Sequence, residues 1–257
     1  MVRGLYTGWK GMENEQKRLD VISNNLANSS TVGFKSEGVT NQSFDDVLTI
    51  KVRDASKGYK ESQIGTMTPG VKIGEVYTDY NQGSLRESSG TYDMAIEGEG
   101  FFSVSVIDKA GNESTKYTRA GQFVMDKEGY IVDVNGNHLL SESGYLQVPT
   151  EAGSVAIDLN GNVYADNQLV DTIKLADFED YNYLKKFGDT MYGAVDGAVE
   201  KEATGAIRQG YTEQSNVNVV SEMVDLIAIT RAYEANQKII QAMDTTLELA
   251  VSSVGKV

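Results

Sequence analysis

Apolar residues fall into three textures along the chain. From Leu5 to about Ala27, the residues Leu5, Met12, Leu19 and Leu26 recur every seven positions, with Trp9 and Ile22 between them. That spacing predicts a helix with one apolar stripe. Asn28-Ser29-Ser30-Thr31 and Gly33 end it, because such residues favour caps and turns over helix interiors. From about Val217 to Val254 the chain has no proline or glycine, and Leu226, Tyr233, Ile240, Leu247 and Val254 again repeat every seven. Ile229, Met243 and Ala250 take the second seam position, which Asn236 interrupts. Asn218 is the expected N-cap, Glu222 sits near the positive end of the helix dipole, and Gly255 marks the stop. At 1.5 Å per residue the two helices span roughly 35 and 55 Å.

The middle of the chain reads as β-structure. Phe102-Ser103-Val104-Ser105-Val106 alternates apolar with polar, and Tyr130-Ile131-Val132-Asp133-Val134 and Ile173-Lys174-Leu175 are further strand candidates. An Asp-x-x-Gly pattern recurs at Asp108 to Gly111, Asp126 to Gly129, Asp133 to Gly136 and Asp158 to Gly161. Aspartate at the first turn position bonds the backbone, and glycine three residues later accepts positive φ, so these are hairpin signals. The fold class is therefore α+β. Heptad-type N- and C-terminal helices pair into a terminal domain (residues 1–35 with 211–257). An extended connector (36–89) leads to a central antiparallel β domain with its return connector (90–210).

The C-terminal helix carries more apolar surface than one partner needs. Ala228, Ala232, Ala235, Ile239, Ala242 and Leu249 widen the seam to an arc of roughly 160°, where an ordinary surface helix needs about 100°. Either this helix is buried in a globular core or its surplus face awaits other subunits. Its place at the chain end, beside a β domain with its own core, favours the second reading.

Charge and composition narrow the chemistry. With 257 residues, 23 basic and 37 acidic side chains, the net charge is −14. That balance repels phosphate and anionic lipid, so neither nucleic acid nor a membrane surface is an expected partner. No apolar run is long enough to insert in a bilayer. Met1 to Lys10 lacks the apolar stretch and cleavage site of a signal peptide, so an exported chain would need another route. There is no cysteine, and His138 is the only histidine. Disulfides, thiolate nucleophiles, the common zinc sites and histidine-pair schemes are thereby excluded, and no cofactor or metal is expected.

The remaining chemical candidates have bland alternatives. Glu97 and Glu99 would face one side of a strand, as the paired carboxylates of a glycoside hydrolase or a cell-wall glycan-binding module do. A solvated or turn-capping role suits them better. Asp133-Val134-Asn135-Gly136-Asn137 and Asp158-Leu159-Asn160-Gly161-Asn162 look like calcium loops but lack the downstream bidentate glutamate. His138 has no serine elbow or cysteine to activate, and Gly98-x-Gly100 lacks the third glycine of a dinucleotide fingerprint. Nothing here supports an enzyme.

Three motifs resemble the bacterial flagellar rod and hook proteins. They are Ile22-Ser23-Asn24-Asn25-Leu26-Ala27-Asn28 with Thr31-Val32-Gly33-Phe34-Lys35; Asp93-Met94-Ala95-Ile96-Glu97-Gly98-Glu99-Gly100-Phe101-Phe102 with Tyr117-Thr118-Arg119; and Gly210 to Asn218 with Glu222-Met223-Val224 and Arg231-Ala232-Tyr233-Glu234. The resemblance implies a non-enzymatic axial subunit of the basal body. It implies self-association into a helical polymer, contact with other rod and hook subunits, and passage through the flagellar type III export apparatus. The assembly interface it implies comprises Leu5, Met12, Leu19, Ile22, Asn24, Asn25, Leu26, Asn28, Leu226, Ile229, Arg231, Tyr233, Ile240, Met243 and Leu247, with Gly33 and Phe34 as the turn into the connector. Read from their chemistry alone, the asparagine amides suit either a local cap or a bond to a neighbour. The run Arg231 to Glu234 and the Phe44 to Gly70 connector look most like distal rod proteins, with proximal rod proteins next. The stretch from Lys51 to Gly65 matches neither, and the lack of a large outer domain sets the chain apart from hook proteins.

Overall fold

The computed structural model describes residues 2–45, 47–51, 62–68, 70–107 and 111–254. The expected turn at Asp108, the helix stop at Gly255 and most of the unmatched part of the connector lie outside them. The protein is α+β, with a helix at each end and antiparallel strands between. It divides into two compact units, the first of residues 1–27, 37–79 and 218–257, the second of 28–36 and 80–217. These bounds differ from the expected ones. Residues 28–36 after the first helix belong with the β unit, and most of the connector, residues 37–79, joins the helices and forms strands of its own.

In the first unit, α1 spans Val2–Ala27 and α2 spans Val219–Val254. The N-cap is the expected one: Asn218 Oδ1 accepts the backbone N–H of Val220 (3.1 Å) and of Ser221 (3.2 Å). The helices run antiparallel. A Cβ at Gly8 would lie 3.1 Å from Ile240 Cγ1, one at Gly11 would lie 2.9 Å from Asn236 Nδ2, and one at Gly4 would collide with Met243. Spaced i, i+4 and i+7, these glycines form one bare face on which α2 lies close. The closest approach therefore falls one position away from the Leu5–Leu26 stripe, whose members are half-buried. Strands β1 (Glu37–Ser43), β2 (Val47–Lys51), β3 (Ser62–Met67) and β4 (Val71–Thr78) form two antiparallel ladders, β1 with β4 and β2 with β3.

The second unit contains β5 (Leu85–Glu87), β6 (Met94–Glu97), β7 (Phe101–Ile107), β8 (Glu113–Thr118), β9 (Phe123–Met125), β10 (Ile131–Asp133) and β11 (His138–Leu139). They are followed by β12 (Val155–Ile157), β13 (Asn162–Ala165), β14 (Gln168–Thr172), β15 (Leu175–Phe178), β16 (Leu184–Phe187), β17 (Met191–Ala194), β18 (Glu200–Lys201), β19 (Ala206–Gln209) and β20 (Tyr211–Glu213). The main sheet runs β16-β17-β8-β7-β11-β10-β9, with β15 pairing β7 and β18. Strand β7 alternates as expected, yet both its faces are covered. Phe102 and Val104 enter one apolar cluster with Phe123, Ile131 and Leu139, while Phe101 enters another with Tyr117, Phe178 and Tyr192. Ser103 and Ser105 are buried too.

Three aspartate turns close as the spacing predicts. Gly129, Gly136 and Gly161 donate their N–H to the carbonyls of Asp126 (3.0 Å), Asp133 (3.0 Å) and Asp158 (2.9 Å), at φ of 86°, 84° and 84°.

Candidate assembly interface

On α2 the seam residues fall on one side. Leu226, Tyr233, Ile240, Met243 and Leu247 are half-buried and Ile229 is fully buried. The surplus face is bare. Ile239 is 48% exposed and Leu249 65%, and Ile227, Ala228, Ala235 and Ala242 are exposed as well. Ala232 is half-buried, and Arg231 is exposed beside this face. On α1, Leu5, Met12, Leu19, Ile22 and Leu26 are half-buried. Trp9 does not fill the stripe: it is 49% exposed, with Lys10 Nζ 4.4 Å from its ring centroid.

The asparagines separate into different roles. Asn25 is buried and bridges elements of its own chain: Oδ1 accepts Glu37 N–H at 3.0 Å, and Nδ2 donates to the Glu37 carbonyl at 2.9 Å and to Glu222 Oε1 at 3.4 Å. This arrangement fixes the start of β1 and the first turn of α2 to α1, so Asn25 serves its own subunit and is closed to a neighbour. Asn28 makes a local turn, accepting Thr31 Oγ1 on its side chain and Thr31 N–H on its carbonyl, each at 3.1 Å. Asn24 is exposed.

Gly33 and Phe34 turn the chain while packed within the β unit. Gly33 has φ +70°, donates its N–H to the Glu213 carbonyl at 2.8 Å, and has no room for a Cβ against the Arg119–Ala120 backbone. Phe34 is fully buried, with Lys186 Nζ 4.4 Å from its ring centroid. Beside them lies an ionic cluster that reading each motif separately did not reveal. Glu213, 0% exposed, receives Lys35 Nζ (2.5 Å) and Gly83 N–H (2.9 Å) on Oε1, and Arg119 Nη1 (3.4 Å) on Oε2. Lys35 also donates to the Asn81 carbonyl at 2.8 Å, and Arg119 to the Gly98 carbonyl at 2.8 Å. One carboxylate thus holds two buried cations, each further satisfied by backbone, which is what makes such burial tolerable. The signal was in the sequence: each resemblance motif contributes one charged residue, Lys35, Arg119 or Glu213.

The chemical candidates resolve into structural roles. Glu97 pairs with Arg208 (2.6 Å) and Glu99 with Lys201 (3.2 Å), and Gly98 at φ +107° turns the chain between them. They share neither a strand face nor a protonation partner. Asp133 Oδ1 accepts the N–H of Asn135 (2.7 Å) and Asn137 (3.0 Å), so its carboxylate is spent on its own turn. His138 packs among aromatics, its ring centroid 5.3 Å from that of Tyr130 and 4.8 Å from that of Tyr145. Among the described residues no helix is long and apolar enough to cross a membrane.

Long end helices with a bare apolar face and a β body tied together by three distant chain segments define a structural protein, built to be held rather than to react. Comparison with known proteins makes this specific. Residues 5–35 match the family described as flagella basal body rod protein, residues 95–165 the flagellar hook protein FlgE/F/G D1 domain, and residues 208–252 the flagellar basal body rod FlgEFG protein C-terminal family. The flagellar basal-body rod protein FlgG of Bacillus subtilis is 34% identical over 272 residues, covering 98% of this chain and 99% of that protein. FlgG of Caulobacter vibrioides is 34% identical over 267 residues (96% and 97%), and FlgF of the same organism 33% over 256 residues (99% and 97%). The chain belongs to the flagellar basal-body rod protein family, as a structural rod subunit and not an enzyme.

Proposed function

We propose that this subunit polymerises with copies of itself and meets other rod and hook subunits through its terminal helices, forming a shaft that transmits torque around an export channel. The supporting observation is the apolar face of α2 that the chain itself leaves open, from Ile227 to Leu249. In this reading α1 and α2 act as a coiled-coil-like pair. The contact residues are Leu5, Met12, Leu19, Ile22, Asn24 and Leu26 on α1, with Leu226, Ile229, Arg231, Tyr233, Ile240, Met243 and Leu247 on α2. The surplus positions Ile239 and Leu249 meet the neighbour directly. Export runs through the flagellar type III apparatus, and the subunit contacts neither nucleic acid nor lipid. The distal rod is the favoured position, supported by the Arg231–Glu234 run and by the FlgG relatives. The FlgF relative keeps the proximal rod as the second reading.

Ile240 lies against Gly8 of its own chain, so the informative change is at its exposed neighbour. Ile239→Asp is expected to abolish rods and motility while the β unit melts as in the parent. Normal basal bodies in that mutant would overturn the proposal.

A further inference from the structure

Strand β18 is two residues long and pairs with β15, where Asp177 faces Lys201 and Phe178 faces Glu200. The Asp177 side chain is fully buried at this edge. Tyr181, which bonds it, packs its ring against Tyr80 and Phe101 of the second apolar cluster, with centroids 5.0 and 5.8 Å away.

The two oxygens of Asp177 have different surroundings. Oδ1 accepts two donors, the Phe178 N–H at 2.9 Å and the Tyr181 hydroxyl at 2.8 Å. Oδ2 has no hydrogen-bond partner, and Lys201 Nζ lies 3.0 Å from it outside hydrogen-bond geometry. The exposed Glu99 carboxylate reaches the same nitrogen, Oε2 to Nζ, at 3.2 Å. Burial, helped by the bond to Asp177, pushes the Tyr181 hydroxyl up to about 12, so it stays a donor at neutral pH. Contacts with Asp177 and Glu99 hold the Lys201 ammonium above its ordinary value, so the resting state is an ion pair. Taking such a pair out of water is costly, which favours any neutral product.

We propose that Lys201 Nζ and Asp177 Cγ join in an intramolecular isopeptide bond, formed by the folded chain itself with the loss of one water. Within the pair, one proton passes from Nζ to Oδ2, leaving an amine beside a carboxylic acid. The amine lone pair forms the N–C bond at Cγ, and the carbonyl electrons move to Oδ1. There the Phe178 N–H and the Tyr181 hydroxyl already stand as an oxyanion hole. Glu99 takes a proton from the nitrogen and returns it to the Oδ2 hydroxyl, which leaves as water while the carbonyl re-forms. Ammonium and carboxylate thus become amide and water, nothing is oxidised or reduced, and Glu99 ends as it began. Cross-strand register supplies the proximity, making the step unimolecular. The bond closes residues 177–201 into a covalent loop and fixes a strand that otherwise depends on two residue pairs. It does not depend on how subunits meet.

Intact-mass spectrometry of the purified, denatured full chain tests the proposal. The parent should weigh one water less than its sequence. Trypsin should release a branched peptide joining residues 175–185 with 187–208, because Lys201 is no longer cleaved. In chains sampled from minutes to days after synthesis, Glu99→Gln should slow cross-linking at least about a hundredfold while the β unit stays folded, and Glu99→Asp should recover part of the rate. Lys201→Arg should keep the full sequence mass. Asp177→Asn has its own signature, since its amide leaves as ammonia: that chain should be lighter by one ammonia. A folded parent still at its full sequence mass after days at room temperature would overturn the proposal. Loss of a water without the branched peptide would place the dehydration elsewhere and overturn it equally. Cross-linking at the parent rate in Glu99→Gln would overturn the proton relay.

Discussion

The two units satisfy their apolar residues by opposite means. Among the described residues, every fully buried apolar side chain except Ile229 belongs to the β unit. That unit encloses two clusters, one around Phe102 that includes Ile207 and one around Phe101, and it buries Phe34 as well. The helical unit buries Ile229 and leaves Ile227, Ile239, Leu249 and Val251 in solvent. A long helix draws most of its stability from packing rather than from propensity. The β unit thus encloses its apolar side chains in one copy, whereas the helical unit leaves a run of them uncovered. The comparison breaks most visibly in hydrogen exchange on the dilute monomer. Amides of β7 and β8 should be protected by at least about a thousandfold, as befits a domain stable by several kcal/mol, while those from Leu226 to Leu247 should exchange almost freely. Equal protection in the two units would show that the ends are satisfied without partners.

A second break should strike the β unit alone. Glu213→Gln removes the charge that neutralises Lys35 and Arg119 but keeps a side chain of similar shape. Leaving buried cations uncompensated costs about 3–5 kcal/mol. The urea midpoint of the β unit should fall accordingly. Lys35→Met should cost less, because Glu213 then keeps Arg119 at 3.4 Å and Gly83 N–H at 2.9 Å. A Glu213→Gln chain within 1 kcal/mol of the parent would show that the cluster is incidental to the fold.

Legibility in the sequence followed the range of the interaction. Helix limits, the Asn218 cap and three aspartate turns depend on residues a few positions apart, and they appear where the spacing puts them. On α1 the repeat of leucines drew attention from Gly4, Gly8 and Gly11, which fix the helix contact by what they lack and so leave no apolar signal. Asn25 was ambiguous because an amide suits a cap, a strand backbone or a neighbour equally well; only the fold places Glu37 and Glu222 beside it. The Lys35–Arg119–Glu213 cluster joins residues up to 178 positions apart, beyond any pattern of spacing. At Gly33 the turn was legible, with φ +70°, but not the close approach of the Arg119–Ala120 backbone that its missing Cβ also admits.

The smallest effect sharpens the comparison from the helical side. Glu222, in the first turn of α2, has its carboxyl raised above the ordinary value, chiefly by burial, against the lowering effect of the bond from Asn25. The helix dipole also favours an anion at this end, so the net rise means that burial, helped by the neighbouring Asp225 charge, outweighs both. A folded-state value above the unfolded one means that the folded form holds the proton longer. Between those values the folded form binds more protons, and stability declines as pH rises through the window just above the usual carboxylate range. Glu222→Gln keeps an acceptor for Asn25 and has no charge to desolvate. Since Glu222 is largely solvated, screening leaves a gain of only about a few tenths of a kcal/mol at neutral pH. Assembled material should accordingly lose its helical circular dichroism at a slightly higher temperature in the variant at pH 7, with the difference vanishing near pH 4. A variant less stable than the parent at pH 7 would mean that the first turn of α2 depends on the charge, and that the helical unit, like the β unit, is held by its ions.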